Sequence, residues 1–159
     1  MKILLVFFGL IISVSGCSRV SPGRTHRIMF YNVENLFYPE DDSLTMDDEF
    51  TPEGVRHWSW YRYRRKVAAV AKVIIAAGEG NPPEVVGLCE IENGRVLSDL
   101  VNHPILMRYG YRFIHRDSPD FRGIDVALLY REGFAVAGHT FHPVPCRGAE
   151  EGTREILHV

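Results

Sequence analysis

The chain has 159 residues, 46% of them hydrophobic and 24% charged. That is enough for one domain with a real core and too little for two comfortable ones, and it excludes disorder as the default state. A formal charge of −2 argues against broad electrostatic binding to a polyanion, while leaving room for a local basic site.

The chain opens MKILLVFFGLIISVSGC, with Lys2, an apolar run to Ile12, and the small residues Ser13, Ser15 and Gly16 before Cys17. The run is too short for a permanent bilayer span and suits a secretory signal peptide. Val14–Cys17 (VSGC) resembles a bacterial lipobox. That resemblance implies cleavage before Cys17, acylation of Cys17, and membrane anchoring in the cell envelope, since two or more acyl chains hold stably. The expected organisation is a signal segment over 1–16, a polar tether over 17–26 and one domain over 27–159. The three cysteines, Cys17, Cys89 and Cys146, show no metal-type spacing, and Cys89 reads as a buried inert thiol.

Arg27–Val33 is apolar on both faces, as in a central strand covered on two sides. The acidic stretch Tyr38–Gly54 follows. It lacks the sixth-place glycine and twelfth-place glutamate of an EF-hand loop and reads as a solvated loop. His57–Ala77 predicts a long helix with a stripe through Trp60, Arg64/Val67, Val70/Ala71 and Ile74, closed by Gly78 and Gly80. Its cluster Arg62, Arg64, Arg65 and Lys66 reads as a solvated face rather than a phosphate patch.

Glu84–Ile91 predicts a second buried strand, and Gly94–Met107 a short helix broken at Pro104. Tyr111–Arg116, Ile124–Arg131 and Phe134–Val144 predict three further strands, and the closing TREILHV opens another. The order β, α, β, α and then several β points to an α/β domain with a mixed sheet.

The two buried strands end in polar residues. By strand alternation Glu90 continues the row of Val86 and Leu88, so its carboxylate must be protonated, paired with a base, or bound to a cation. Asn32 holds the analogous place on the first strand, sharing a face with Ile28 and Phe30. Ligands of α/β sheets gather at such carboxyl ends. One carboxylate, one amide and several waters suit Mg²⁺ or Mn²⁺ and leave room for a phosphate. An ion pair for Glu90 and a turn cap for Asn32 stand as the alternative.

FYNVENLF (Phe30–Phe37), GLCEIEN (Gly87–Asn93) and RGIDVALLYR (Arg122–Arg131), in this order and spacing, resemble the endonuclease/exonuclease/phosphatase family, the fold shared by DNase I and the abasic-site exonucleases. DDEFTPEG with the following Trp, Tyr and Lys is similar to bacterial secreted members. The resemblance implies an α/β fold of DNase I type, a four-layer α/β/β/α sandwich of which this chain supplies roughly the first half. It implies metal binding at Glu90 and Asn32, which are thereby the catalytic candidates. Glu92 or Asn93 would lie on the same rim, and Arg122 would approach a substrate phosphate. Asp125 reads as fixing the local backbone.

The family's Gly-Asp-Phe-Asn and Ser-Asp-His motifs, which carry its water-orienting aspartate and its histidine, do not occur in these 159 residues. The expectation is therefore a truncated phosphoesterase, inactive or nearly so alone and with a bare inner face. The substrate classes are DNA, RNA, sugar or inositol phosphates and phospholipid headgroups. The rival expectation is a non-catalytic envelope lipoprotein that keeps the fold for binding.

Overall fold

Strand β1 (Ile28–Leu36) and strand β2 (Val85–Ile91) run parallel, joined through helix α1 (Trp60–Ala77). They belong to a computed structural model that describes residues 25–145 and 152–159. Residues 1–16, expected to be a signal segment, and Cys17 and Cys146 lie outside the described residues. Helix α2 (Gly94–Val101) leads from β2 to the antiparallel pair β3 (Arg112–His115) and β4 (Asp125–Tyr130). The sheet order is β1-β2-β4-β3, with β4 antiparallel to β2, so the fold is α/β with a mixed sheet. A separate ribbon pairs β5 (Thr140–His142) with β6 (Ile156–His158).

Helix α1 begins later than the apolar pattern suggests, because Ser59 adopts an extended conformation and its hydroxyl accepts from Arg62 N. Its buried stripe is Tyr63, Val67, Val70, Ala71 and Ile74, so Tyr63 rather than Arg64 faces the core. At Gly78 a Cβ would stand 2.0 Å from the carbonyl oxygen of Asn81, which only glycine permits. In α2 the Asn93 side chain caps the backbone N–H groups of Arg95 and Val96. The helix stops at Val101, ahead of Pro104.

Both helices cover one face of the sheet. Val86, Leu88, Ile91, Ile124 and Leu129 meet Val67, Val70, Ile74, Val96, Leu97 and Leu100 there, all but sealed from solvent. Each such side chain contributes about 1.5–3 kcal/mol of transfer free energy. The opposite face is open beside β1: Ile28 is 78% and Phe30 75% exposed. This corrects the expectation of a first strand covered on two sides, at least among the described residues. The β5–β6 ribbon borders that face, where Ile156–Val159 line one cavity with Phe30, Gly87, Val126 and Leu128. That is the side on which a four-layer arrangement places its second sheet.

The acidic stretch is more ordered than a solvated loop. Phe37 stacks on Phe50 with ring centroids 4.0 Å apart, and Trp58 Nε1 donates to Phe37 O at 2.8 Å. Asp47 is buried, accepting from Asp42 N through both carboxylate oxygens. Met46 N donates to Phe121 O at 2.9 Å, which ties the stretch to the β3–β4 turn.

Candidate active site

Because β1 and β2 are parallel, their carboxyl ends finish side by side, with Asn32 in register with Cys89. Both ladders then break. The β1–β2 register shifts between Asn32 and Leu36, and the β2–β4 register shifts between Cys89 and Ile91. Three non-glycine residues turn left-handed within these breaks: Glu34 (φ 58), Asn35 (φ 64) and Glu90 (φ 65). Each costs about 1–2 kcal/mol, and such bulges re-aim side chains at sites. Strand alternation had placed Glu90 in the core row of Val86 and Leu88. The left-handed turn takes it out of that row and brings its carboxylate to Asn32.

The contacts are specific. Asn32 Nδ2 donates to Glu90 Oε1 at 3.0 Å, and Asn35 N donates to Glu90 Oε2 at 3.1 Å. Glu34 N donates to Asn32 Oδ1 at 2.8 Å, which fixes the amide's orientation. Each carboxylate oxygen and the amide oxygen thus keeps one lone pair uncommitted. This donor set fits Mg²⁺ or Mn²⁺, which take a few protein oxygens and retain water.

One cation pairs loosely with the carboxylate, and two others feel its charge from further away. Arg154, just before β6, places a guanidinium nitrogen 3.7 Å from Glu90 Oε1. Lys66 on α1 donates through Nζ to the carbonyl oxygen of Glu34. Burial pushes the Lys66 ammonium below its ordinary value, and Glu34 and Glu90 partly counter it. Arg122 is gripped by buried Asp120 through Nε at 3.1 Å and Nη2 at 3.0 Å. That hydrogen-bonded pairing raises the Arg122 pKa, and Glu90 adds to the effect.

Lys66 is half-buried against the site, contrary to the reading of its cluster as a solvated face. Arg154 carries no signal in the sequence beyond being one arginine before a short apolar stretch.

Glu92 and Asn93 do not join this rim, contrary to the expectation for the end of β2. Past the turn at Glu90 the chain dips to the helix side. Glu92 accepts from Tyr38 N and from Asn93 Nδ2, and burial pushes its carboxyl up to about 8. Asn93 is committed to capping α2. Asp125 Oδ1 accepts from Ser118 N at 2.9 Å, the backbone-fixing contact expected of it.

A family model described as Endonuclease/Exonuclease/phosphatase family matches residues 27–159. The chain belongs to that family. No curated relative and no solved structure matches the chain. Membership makes this a phosphoesterase-type protein of a family that is generally dependent on divalent metal. Among the described residues of this endonuclease/exonuclease/phosphatase member, no histidine hydrogen-bonds to Asn32 or Glu90.

Proposed function

We propose that the strand ends carrying Asn32 and Glu90 form a divalent-metal site for hydrolysis of a phosphodiester or phosphomonoester. The observation that supports this reading is the side-chain hydrogen bond joining Asn32 to Glu90 where both ladders break. Asn32 Oδ1 and the Glu90 carboxylate would hold Mg²⁺ or Mn²⁺. When bound, such an ion stabilises charge on the leaving and non-bridging oxygens of an in-line displacement. Arg122 would contact a substrate phosphate. Asp120 occupies its Nε and one Nη2 proton, so the remaining guanidinium N–H groups are oriented for an anion. Arg154 would exchange its loose ion pair with Glu90 for a phosphate oxygen. The positive charge of Lys66 offsets the clustering of carboxylates at Glu34 and Glu90.

On this reading the groups that would hold metal and phosphate stand without a histidine hydrogen-bonded to Asn32 or Glu90 among the described residues. We therefore expect residues 27–159 to bind metal and phosphate with little or no turnover, since groups that act as a unit fail together. The test is Mg²⁺ titration by calorimetry, with hydrolysis of bis(4-nitrophenyl) phosphate and plasmid nicking. Mg²⁺ binding that disappears in Glu90→Gln, without turnover, is the expected result. Mg²⁺-dependent turnover that Glu90→Gln abolishes would overturn the inactivity, and absence of Mg²⁺ binding would overturn the site. Nucleic acid is one substrate class among several, and nicking against nitrophenyl ester cleavage separates it from small esters.

We further propose, from the likeness of Val14–Cys17 to a lipobox, that a lipid on Cys17 would anchor the chain at the bacterial membrane. Mass spectrometry of the mature amino terminus should find acylated Cys17, and an unmodified residue there rejects the anchor.

A further inference from the structure

His115, Asp117 and Asp125 bring one imidazole nitrogen and two carboxylate oxygens within 4.8 Å of one another. His115 ends β3, Asp117 lies in the turn that follows, and Asp125 opens β4. His115 Nε2 lies 3.0 Å from Asp125 Oδ2 and 3.9 Å from Asp117 Oδ1. The side chains of His115 and Asp125 are only 6% and 3% exposed, whereas that of Asp117 is 85% exposed. Two ligands are thus fixed in the fold, and the third can swing in from solvent.

We propose that these three residues form a second metal site, separate from Asn32 and Glu90, for a first-row transition-metal dication of the Zn²⁺ class. A tetrahedral ion with bonds of about 2.0–2.1 Å holds its ligand atoms about 3.3–3.4 Å apart. The buried pair need open by only about 0.3–0.4 Å, while the exposed carboxylate must close by about 0.5 Å on His115 and by up to about 1.4 Å on Asp125. The imidazole selects against Mg²⁺ and Ca²⁺, which prefer all-oxygen shells. Asp125 is already oriented by the bond from Ser118 N to Oδ1. Its Oδ2 is hydrogen-bonded to His115 Nε2, so an ion would take the place of the proton shared by these two atoms and release it to solvent.

The surroundings favour a cation. Asp117 and Asp125 open onto a cavity of about 330 Å³ that is also lined by Asp42, Glu92 and Asp120, and no lysine or arginine lines it. Burial holds Glu92 largely neutral at pH 7 and Asp120 is paired with Arg122, so the attraction for a cation rests on Asp42, Asp117 and Asp125, and the volume admits a water as fourth ligand. A plain ion pair between His115 and Asp125 accounts for two of the three groups and gives Asp117 no part. The three ligands span the turn that carries Asp120 and Arg122, so an ion here would hold Arg122 in place.

The experiment is Zn²⁺ titration of the full chain by calorimetry in excess Mg²⁺, with Co²⁺ visible absorption as an independent report of coordination. One Zn²⁺ equivalent with micromolar affinity or tighter is expected, together with tetrahedral Co²⁺ bands. His115→Gln should abolish both signals, and Asp117→Asn should weaken binding at least about tenfold. Asp117 is too exposed for its substitution to threaten folding, and circular dichroism checks this. Glu90→Gln should leave the Zn²⁺ signal unchanged. The proposal is overturned if Zn²⁺ does not bind saturably. It is equally overturned if binding survives both Asp117→Asn and His115→Gln, as it would for Zn²⁺ held by His142 and His158, or if it is lost in Glu90→Gln.

Discussion

Asn32 on β1 donates its side-chain amide to the carboxylate of Glu90 on β2 at 3.0 Å, across 58 positions of sequence. The contact exists because two parallel strands end together and each bends into left-handed backbone there. It organises the candidate metal site, since the same amide accepts from Glu34 N and the same carboxylate from Asn35 N.

Replacing Asn32 with alanine removes one ligand oxygen and the donor that orients Glu90. Mg²⁺ affinity measured by calorimetry should fall about tenfold or more, by analogy with loss of an orienting partner. The melting temperature should move little, because a partly exposed hydrogen bond contributes only about 1 kcal/mol. Unchanged Mg²⁺ affinity would remove Asn32 from the site.

Arg154 competes with a cation for Glu90, although 3.7 Å is too long for a strong ion pair. Screened by solvent, the attraction amounts to about 1 kcal/mol. Arg154→Ala should therefore tighten Mg²⁺ binding about fivefold while weakening orthovanadate or phosphate binding. Parallel losses of both would mean that Arg154 supports the fold rather than the site.

Glu84 ties three strand ends together. Its Oε2 accepts from Arg27 N at 2.8 Å, and its Oε1 lies 3.4 Å from Arg131 Nη2. The bond from Arg27 N, with Arg131 beside it, holds the Glu84 carboxyl below its ordinary range. A depressed carboxyl stabilises the fold above its unfolded pKa, and that contribution is lost as pH falls through the folded one. Glu84→Ala should lower stability by about 2–3 kcal/mol at pH 7 in urea melts, less at the acid end. A pH-independent difference would show that packing, not charge, is what Glu84 supplies.

Asp47 has the opposite sign. Burial raises its pKa despite the hydrogen bonds from Asp42 N, and Asp41 and Asp42 add repulsion. Its neutral form is favoured in the fold, so its contribution is present below the ordinary aspartate pKa and declines as pH rises. Asp47→Asn keeps an acceptor for Asp42 N and removes the charge. Its melting temperature should exceed that of the parent by about 2–4 °C at pH 7 and converge with it near pH 4. A parent that melts higher at pH 7 would reverse the assignment.

Much of the scaffold is legible from periodicity. The stripe through Val67, Val70, Ala71 and Ile74 is what buries α1, and the apolar run Val85–Ile91 is the central strand β2. RGIDVALLYR contains β4, and the closing ILH forms β6. Helix α1 starts later than its apolar pattern suggests because Ser59 caps it, whereas α2 starts at Gly94 as expected and stops at Val101 instead of Met107.

The site is legible only in part. Asn32, Glu90 and Arg122 stand in short motifs at strand ends, which mark them as candidates. Glu90's direction was misjudged, because alternation assumes an unbroken ladder and cannot register a left-handed residue. Glu92 was misplaced for the same reason, one turn further on. Lys66 is hidden in a basic cluster that lies over Trp58, Trp60 and Tyr61, and only its bond to the Glu34 carbonyl sets it apart.

The sequence by itself determined which segments bury a face, where they end in chemistry-bearing residues, and which family those endings resemble. These are local properties, set by side-chain period and by short motifs. The tertiary structure decided which ends meet. It brought Arg154 to Glu90 across 64 positions, and it joined His115 to Asp125 across two strands. Such pairings depend on strand register and on two backbone breaks, which no local pattern encodes.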